Sequence, residues 1–266
     1  MRRMVWAIPL ALVLSACAFD TGGGSSNALG GQRLAPPPTD YVALVGHPDR
    51  PLDDFKDDAA RKPAKMLEFT GVGYGMTVID VEAGWGYYTE LFARAVGEKG
   101  TVYLQNPENF YGFVDEAIDE RLADDRLPNV EVMISPFHEF PVSDGSVDIV
   151  AWILGPHELW FTPEGEEEGI LGDPEKAFFE IARVLKPDGV FVALDHVAPA
   201  GSPETTGNTI HRIDPDIILR RAEAAGLKLV ETSDLHANPD DDYSVSAIDP
   251  SVRRKTDRFL FKFAKN

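Results

Sequence analysis

Five short runs of β-branched and apolar residues lie between Met76 and Leu194, and helix-length stretches separate most of them. That order constrains the chain more than any other feature. MTVIDV at Met76–Val81 has the continuous apolar character of a strand buried on both faces. Gly84 and Gly86 then open a helix predicted over Tyr87–Val96. A second strand is predicted at Thr101–Leu104, a helix at Phe110–Leu122, a third strand at Val130–Ile134 and a fourth at Val147–Ile153. Pro174 begins a helix reaching Leu185, with proline in the first position where its missing N–H costs nothing. Val190–Leu194 is a fifth strand. A helix follows from Asp214-Pro215 to near Gly226, then strands at Leu227–Glu231 and Phe259–Phe263. Upstream, Lys62–Phe69 reads as a first short helix. Strands alternating with helices predict an α/β domain with a seven-stranded, mostly parallel sheet covered on both faces. The last two strands lack a helix between them and suit antiparallel pairing at the sheet edge.

The first forty residues follow other rules. Arg2 and Arg3 precede an apolar run from Val5 to Leu14, too short to span a bilayer and of signal-peptide proportions. It ends in Leu14-Ser15-Ala16-Cys17, which resembles the lipobox of bacterial lipoproteins. The expected organisation is a signal peptide over 1–16, a lipidated Cys17 with a Gly/Ser/Pro tether over 17–40, and the α/β domain over 41–266. Cys17 is the single cysteine, so the domain holds no intramolecular disulfide, cysteine-ligated metal or catalytic thiol. The implied location is exported and periplasmic, anchored to the membrane by lipid. Ala18 in place of an acid leans toward the outer membrane.

The chain carries a formal net charge of −19. An acidic surface repels phosphate backbones, so nucleic acid is not an expected partner. The EGEEEG run at Glu164–Gly169 reads as a solvated loop.

Two segments, VIDVEAGWGYYTELFARAVGEKGTVYLQNP and DPEKAFFEIARVLKPDGVFVALDH, resemble the nucleotide-binding motif and the later helix–turn–strand motif of class I S-adenosylmethionine-dependent methyltransferases. The stretch DHVAPAGS, TIHRIDP and AAGLKLVETSDLHANPDDDY resembles an exported group of predicted methyltransferases. The resemblance implies a Rossmann-like fold with S-adenosylmethionine held by Asp80, Glu82, Gly84, Gly86 and Asn106. It departs from the family pattern in three places. Glu82 stands at the first usual glycine, Asn106 at the ribose-binding acid and Pro136 near the adenine-binding acid, with His138 or Glu139 as substitutes.

Ligands of doubly wound sheets sit beyond the carboxyl ends of the strands. His157 and Glu158 follow the fourth strand, Asp195 and His196 end the fifth, and His211-Arg212 lies in the next long loop. His157, His196 and His211 are the candidate catalytic residues, with a histidine accepting the proton that the acceptor loses. Histidines and carboxylates also suit zinc, iron or manganese, but no His-x-x-x-His spacing supports a metal and none is expected. Trp85, Tyr87, Tyr88, Trp152, Trp160 and Phe161 lie where they could stack on a substrate, and Arg61 and Lys62 where they could meet an anion. The expected activity is methyl transfer to a small molecule in the cell envelope. A non-catalytic ligand-binding lipoprotein, or a lyase or metal-dependent hydrolase on the same fold, are the alternatives.

Overall fold

The computed structural model describes residues 39–265. The signal peptide, Cys17 and nearly all of the tether lie outside them. Three short helices come first: α1 (Tyr41–Val45), α2 (Phe55–Arg61) and α3 (Pro63–Thr70). The alternating core follows as β1 (Thr77–Val81), α4 (Tyr87–Val96), β2 (Thr101–Asn106), α5 (Glu108–Leu122), β3 (Val130–Ile134) and β4 (Val147–Ile153). A 3-10 turn at Pro156–Trp160 leads to α6 (Pro174–Val184) and β5 (Leu185–His196). The chain closes with α7 (Thr206–Ile210), α8 (Pro215–Ala224), β6 (Leu227–Thr232) and β7 (Arg258–Lys265).

The sheet has seven strands in the order β3-β2-β1-β4-β5-β7-β6, and β7 alone runs antiparallel to its neighbours. The predicted Rossmann-like α/β class is the observed one. One detail differs: β7 inserts between β5 and β6, so β6 forms the edge. β5 is also longer than Val190–Leu194, because its first residue Leu185 pairs with Val147 before an irregularity lets Val190 pair with Ile149.

The two-residue period of the strands divides the core between the faces of the sheet. Val78, Ile149, Ala151 and Val192 pack with Met66, Leu67, Leu91 and Phe92 of α3 and α4. Ile79, Val150, Trp152 and Phe191 pack with Phe178 and Ile181 of α6 and Ile217 and Ile218 of α8. Among the described residues no helix is long and apolar enough to cross a membrane. The Glu164–Glu168 run is exposed, as a solvated loop should be.

Two buried ion networks fix the segments around the mouth of the sheet. Glu90, in the first turn of α4, is fully buried and accepts from Arg94, Arg121 and Arg126. Arg121 also grips Asp54 at 2.9 and 3.0 Å, tying α5 to the residue that precedes α2. Burial alone would raise the Glu90 carboxyl, but the arginine bonds outweigh it and hold it below the usual carboxylate range. On the other side, Arg212 is fully buried and bonds Asp241 at 2.8 and 3.1 Å, with Val197 and Val245 carbonyls completing its donors. This pair pins the long crossing between β6 and β7. Removing one member of such a pair strands a buried charge, at a cost of about 3–5 kcal/mol.

Candidate active site

The turn after β1 is held by β2. Glu82, Gly84 and Gly86 all have positive φ, of 52, 57 and 88°. Glycine adopts this conformation freely, whereas Glu82 does so at a cost of about 1–2 kcal/mol. Side chains at the end of β2 hold it there. The Glu82 N–H donates to Gln105 Oε1 at 2.9 Å, and Gln105 Nε2 donates to the Ser135 carbonyl. Asn106 Oδ1 accepts the Gly84 N–H at 3.0 Å, and its Nδ2 donates to the Gly84 carbonyl, also at 3.0 Å. Asn106 is only 1 % exposed. Its amide is thus a tie between β2 and the glycine turn, where the sequence suggests a ribose contact. Gln105 was not singled out by sequence, since nothing in its spacing marks it.

Asp80, the penultimate residue of β1, is buried and accepts the Thr89 hydroxyl at 2.6 Å. Burial pushes its carboxyl up to about 7. The Glu82 side chain turns toward β4, into the crevice where the strand order reverses. Trp152 Nε1 donates to its Oε2 at 3.0 Å. Gly155 makes room for it, since a Cβ there would lie 2.1 Å from the same oxygen. Burial, reinforced by Glu158, raises the Glu82 carboxyl well above its ordinary value.

Beside Glu82 lies a polar cluster at the carboxyl ends of β4 and β5. Asp195 is fully buried and its carboxylate is saturated. It contacts His157 Nδ1 at 2.8 and 3.0 Å and accepts the backbone N–H groups of His157 and His196 at 2.6 and 2.7 Å. His157 Nε2 lies 3.1 Å from Glu158 Oε1 and 3.3 Å from His211 Nδ1, and His211 Nδ1 lies 3.2 Å from the same Glu158 oxygen. Burial alone would lower His157, but Asp195 and Glu158 outweigh it and hold the imidazole well above 6.5. Burial would raise Glu158, but its bonds to His157 and His211 bring it down to about 2. The absence of a His-x-x-x-His spacing does not describe this place. The fold assembles a metal-compatible triad from His157, Glu158 and the distant His211.

His211 arrives because α7 docks against the 3-10 turn. A Cβ on Gly207 would sit 2.4 Å from the His157 carbonyl oxygen, so only glycine permits the approach. His196 stands slightly apart, its ring centre 6.0 Å from that of His157 and its Nδ1 2.6 Å from Thr256 Oγ1. Burial, then the charge of Arg258, pushes His196 well below 6.5, so its ring is neutral.

His196 faces a cavity of about 950 Å³, also walled by Arg61, Trp85, Tyr87, Leu154 and Arg258. Leu52 and Ile248 line it while remaining largely exposed. Arg258 is 6 % exposed, and among the described residues it pairs with no carboxylate. Its Nε donates to Thr256 Oγ1 at 3.1 Å, and burial lowers its guanidinium from the ordinary arginine value. Arg61, suspected from sequence, stacks on Tyr87 at 4.5 Å. Lys62 instead donates to the Leu235 carbonyl. Trp85 and Tyr87 line the cavity, whereas Trp152 is core and Trp160 bonds Glu204. His138 accepts the Asp173 N–H and Glu139 is exposed, so neither joins this cluster.

Comparison with known proteins agrees with this fold. Residues 79–193, from β1 through most of β5, match the family described as methyltransferase domain. The ubiquinone/menaquinone biosynthesis C-methyltransferase UbiE of Idiomarina loihiensis is 27% identical over 138 residues, covering 51% of this chain and 49% of that protein. The chain therefore spans about half the length of the curated relatives it matches. A SAM-dependent methyltransferase from Aquifex aeolicus superposes with a TM-score of 0.56 at 23% identity, covering 85% of this chain and 98% of that one. The [4+2]-cyclase SpnF superposes with a TM-score of 0.53 at 17% identity, covering 80% of each chain. These likenesses establish the class I methyltransferase fold. A cyclase in the same company illustrates that a fold does not by itself choose a reaction.

Proposed function

From the premise of a class I methyltransferase fold, we propose that this chain transfers a methyl group from S-adenosylmethionine to a small molecule that carries an anionic group. The observation that carries the reading is the Gly84–Gly86 turn, closed against β2 and opening α4, inside the span that matches a methyltransferase domain. The residues suit the methionine end of this cofactor. The Glu82 carboxylate in the β1/β4 crevice faces where a cationic ammonium or sulfonium group would lie, and the first turn of α4 offers N–H groups to a carboxylate. At the nucleoside end Asn106 stands where the resemblance implies a ribose-binding acid, and its amide is committed to the backbone of Gly84. When bound, the cofactor supplies an electrophilic methyl group on sulfur.

The chain's own residues then divide the work. The cavity receives the acceptor, with Arg258 facing its anionic group, Arg61 held beside it by Asp57, and the apolar rim at Leu52, Trp85 and Ile248 holding its body. His196, uncharged on the cavity wall, is placed to accept the acceptor's proton, and because burial and Arg258 make it a weak base it suits an acceptor that parts with that proton readily. Asp195 positions His157 behind it. Titration of the purified chain with S-adenosylhomocysteine tests the reading. Saturable binding is expected, and Gly155→Ala, which drives a methyl group into Glu82 and Trp152, weakens it by about tenfold or more. An intact, folded chain that binds neither this product nor S-adenosylmethionine at millimolar concentration would sink the proposal.

We further propose that it acts in the cell envelope, tethered through lipid on Cys17. This rests on the Leu14–Cys17 motif and the polar tether that follows. Radiolabelled palmitate should enter the native chain and not the Cys17→Ser variant. Equal labelling of both would refute the anchor.

A further inference from the structure

The three side chains at the heart of the cluster raise a question that proton transfer leaves unanswered. His157 Nε2, His211 Nδ1 and Glu158 Oε1 stand at 3.1, 3.2 and 3.3 Å from one another, each turned toward the other two. Once its Nε2 proton is given up, as metal binding requires, His157 keeps its Nδ1–H directed at Asp195 and presents an Nε2 lone pair to this centre. The Glu158 oxygen presents further lone pairs. Three electron-pair donors at such distances need positive charge between them, either as shared protons or as a cation.

The dimensions also fit a cation. A tetrahedral ion held about 2.0–2.1 Å from its nitrogen and oxygen ligands sets those ligands roughly 3.3 Å apart. The observed triangle already has the edges of one face of such a polyhedron. The other carboxylate oxygen, Glu158 Oε2, is buried without a hydrogen-bond partner, on a residue only 9 % exposed. Asp195 supplies the outer support typical of metal-bound histidine, a carboxylate on the ring nitrogen remote from the ion. The close approach at Gly207 fixes His211 against the turn that carries the other two ligands.

We propose that His157, Glu158 and His211 bind one divalent transition-metal ion, of the zinc, iron(II) or manganese(II) class. Two imidazoles with one carboxylate select these metals over calcium and magnesium, which prefer all-oxygen shells. Three protein ligands leave at least one position open, on an ion beside Glu82. The site depends on the fold and not on methyl transfer, and it stands or falls separately from the proposed reaction.

The test uses the whole chain, stripped with a chelator, equilibrated with micromolar zinc, desalted and analysed by elemental mass spectrometry. About one zinc per chain is expected, with a melting temperature that rises with zinc concentration. His211→Ala and Glu158→Gln should each lose the bound zinc and the zinc-dependent shift. His211 is partly exposed and glutamine is isosteric with glutamate, so both variants should fold, which circular dichroism checks. Cobalt substitution adds an independent signature, since visible absorption of a tetrahedral nitrogen–oxygen site should appear in the native chain alone. Folded native chain that retains no zinc overturns the proposal. So does a His211→Ala variant that retains as much zinc as the native chain.

Discussion

Asn106→Asp separates two accounts of the glycine turn, because it restores the acid usual in the family and breaks the tie seen here. The native amide gives and receives, with 3.0 Å bonds to both the carbonyl and the N–H of Gly84. A carboxylate keeps the acceptor and loses the donor. Its second oxygen then faces the Gly84 carbonyl, at a position 1 % exposed. Losing one neutral hydrogen bond costs about 1 kcal/mol, and leaving a buried carbonyl unpaired adds about 1–3 kcal/mol. A stronger, charge-assisted bond from the Gly84 N–H returns part of this, so the net loss is about 2–3 kcal/mol at neutral pH. At 1.36 kcal/mol per unit, the new carboxyl's folded pKa rises by about 1.5–2 units. A raised folded pKa gives stability that is fully present below the unfolded value, near 4, and lost as pH rises through the folded one, near 6. Urea unfolding should therefore find Asn106→Asp close to native stability at acid pH and about 2–3 kcal/mol weaker at pH 7.5. Titration with S-adenosylhomocysteine at pH 7.5 should find weaker binding, because the turn is loosened. If the variant is as stable as the native chain at pH 7.5 and binds the nucleoside more tightly, Asn106 is a ribose ligand in waiting and the tie is incidental.

Two further substitutions test the charges around the site. Burial holds Asp80 near 7 against an ordinary 3.8, so its contribution to stability is complete below 3.8 and falls away as pH rises toward 7. Asp80→Asn, which keeps an acceptor for Thr89, should remove that decline, worth about 4 kcal/mol across the window, in urea unfolding from pH 4 to 8; a native chain with flat stability over this range refutes the assignment. Arg258 is the leading charge, after burial, that holds His196 below 6.5. Arg258→Gln should raise the His196 midpoint in an NMR pH titration, and an unmoved midpoint would show that burial alone sets it.

How far the sequence carried the structure depended on where each interaction was made. Val147–Ile153 was legible residue for residue because a buried parallel strand is a largely apolar run, and the exposed edge strand Val130–Ile134 because all its residues but Glu131 are apolar and most are β-branched. Tyr87–Val96 was legible because glycines bracket it at both ends. α1 and α2 were not, because neither has a fully buried residue and their places are set by partners such as Asp58 on Arg50 and Tyr87. The start of β5 reads Leu185-Lys186-Pro187-Asp188-Gly189, which is turn chemistry by sequence, and only pairing with Val147 makes Leu185 part of a strand. The order of the last two strands shows only in burial, since β6 exposes all but its first residue at the edge while β7 is buried or half-buried along its length.

The functional residues divide along the same line. His157, Glu158, Asp195 and His196 could be located because the ends of β4 and β5 locate them; His211 was named from its loop, but its approach to His157 needed the docking of α7, and Arg258 needed a cavity that no local pattern announces. The departures at Glu82 and Asn106 are the sharper case. Taken one position at a time, each is a lost cofactor contact. Taken with Gln105, they form one arrangement: the end of β2 supplies side chains that fasten the turn, and the fastened turn holds a glutamate at φ 52° that a bare glycine turn would have no means to keep. The same fastening sends the Glu82 carboxylate toward Trp152 and Glu158, so the substitution at the first glycine and the acid beside the histidines belong to one electrostatic centre. A second buried carboxyl that feels the charge of Glu158 is tolerable when it stays protonated or when a cation stands between the two, and the second condition is the one a bound metal ion or a sulfonium group would meet.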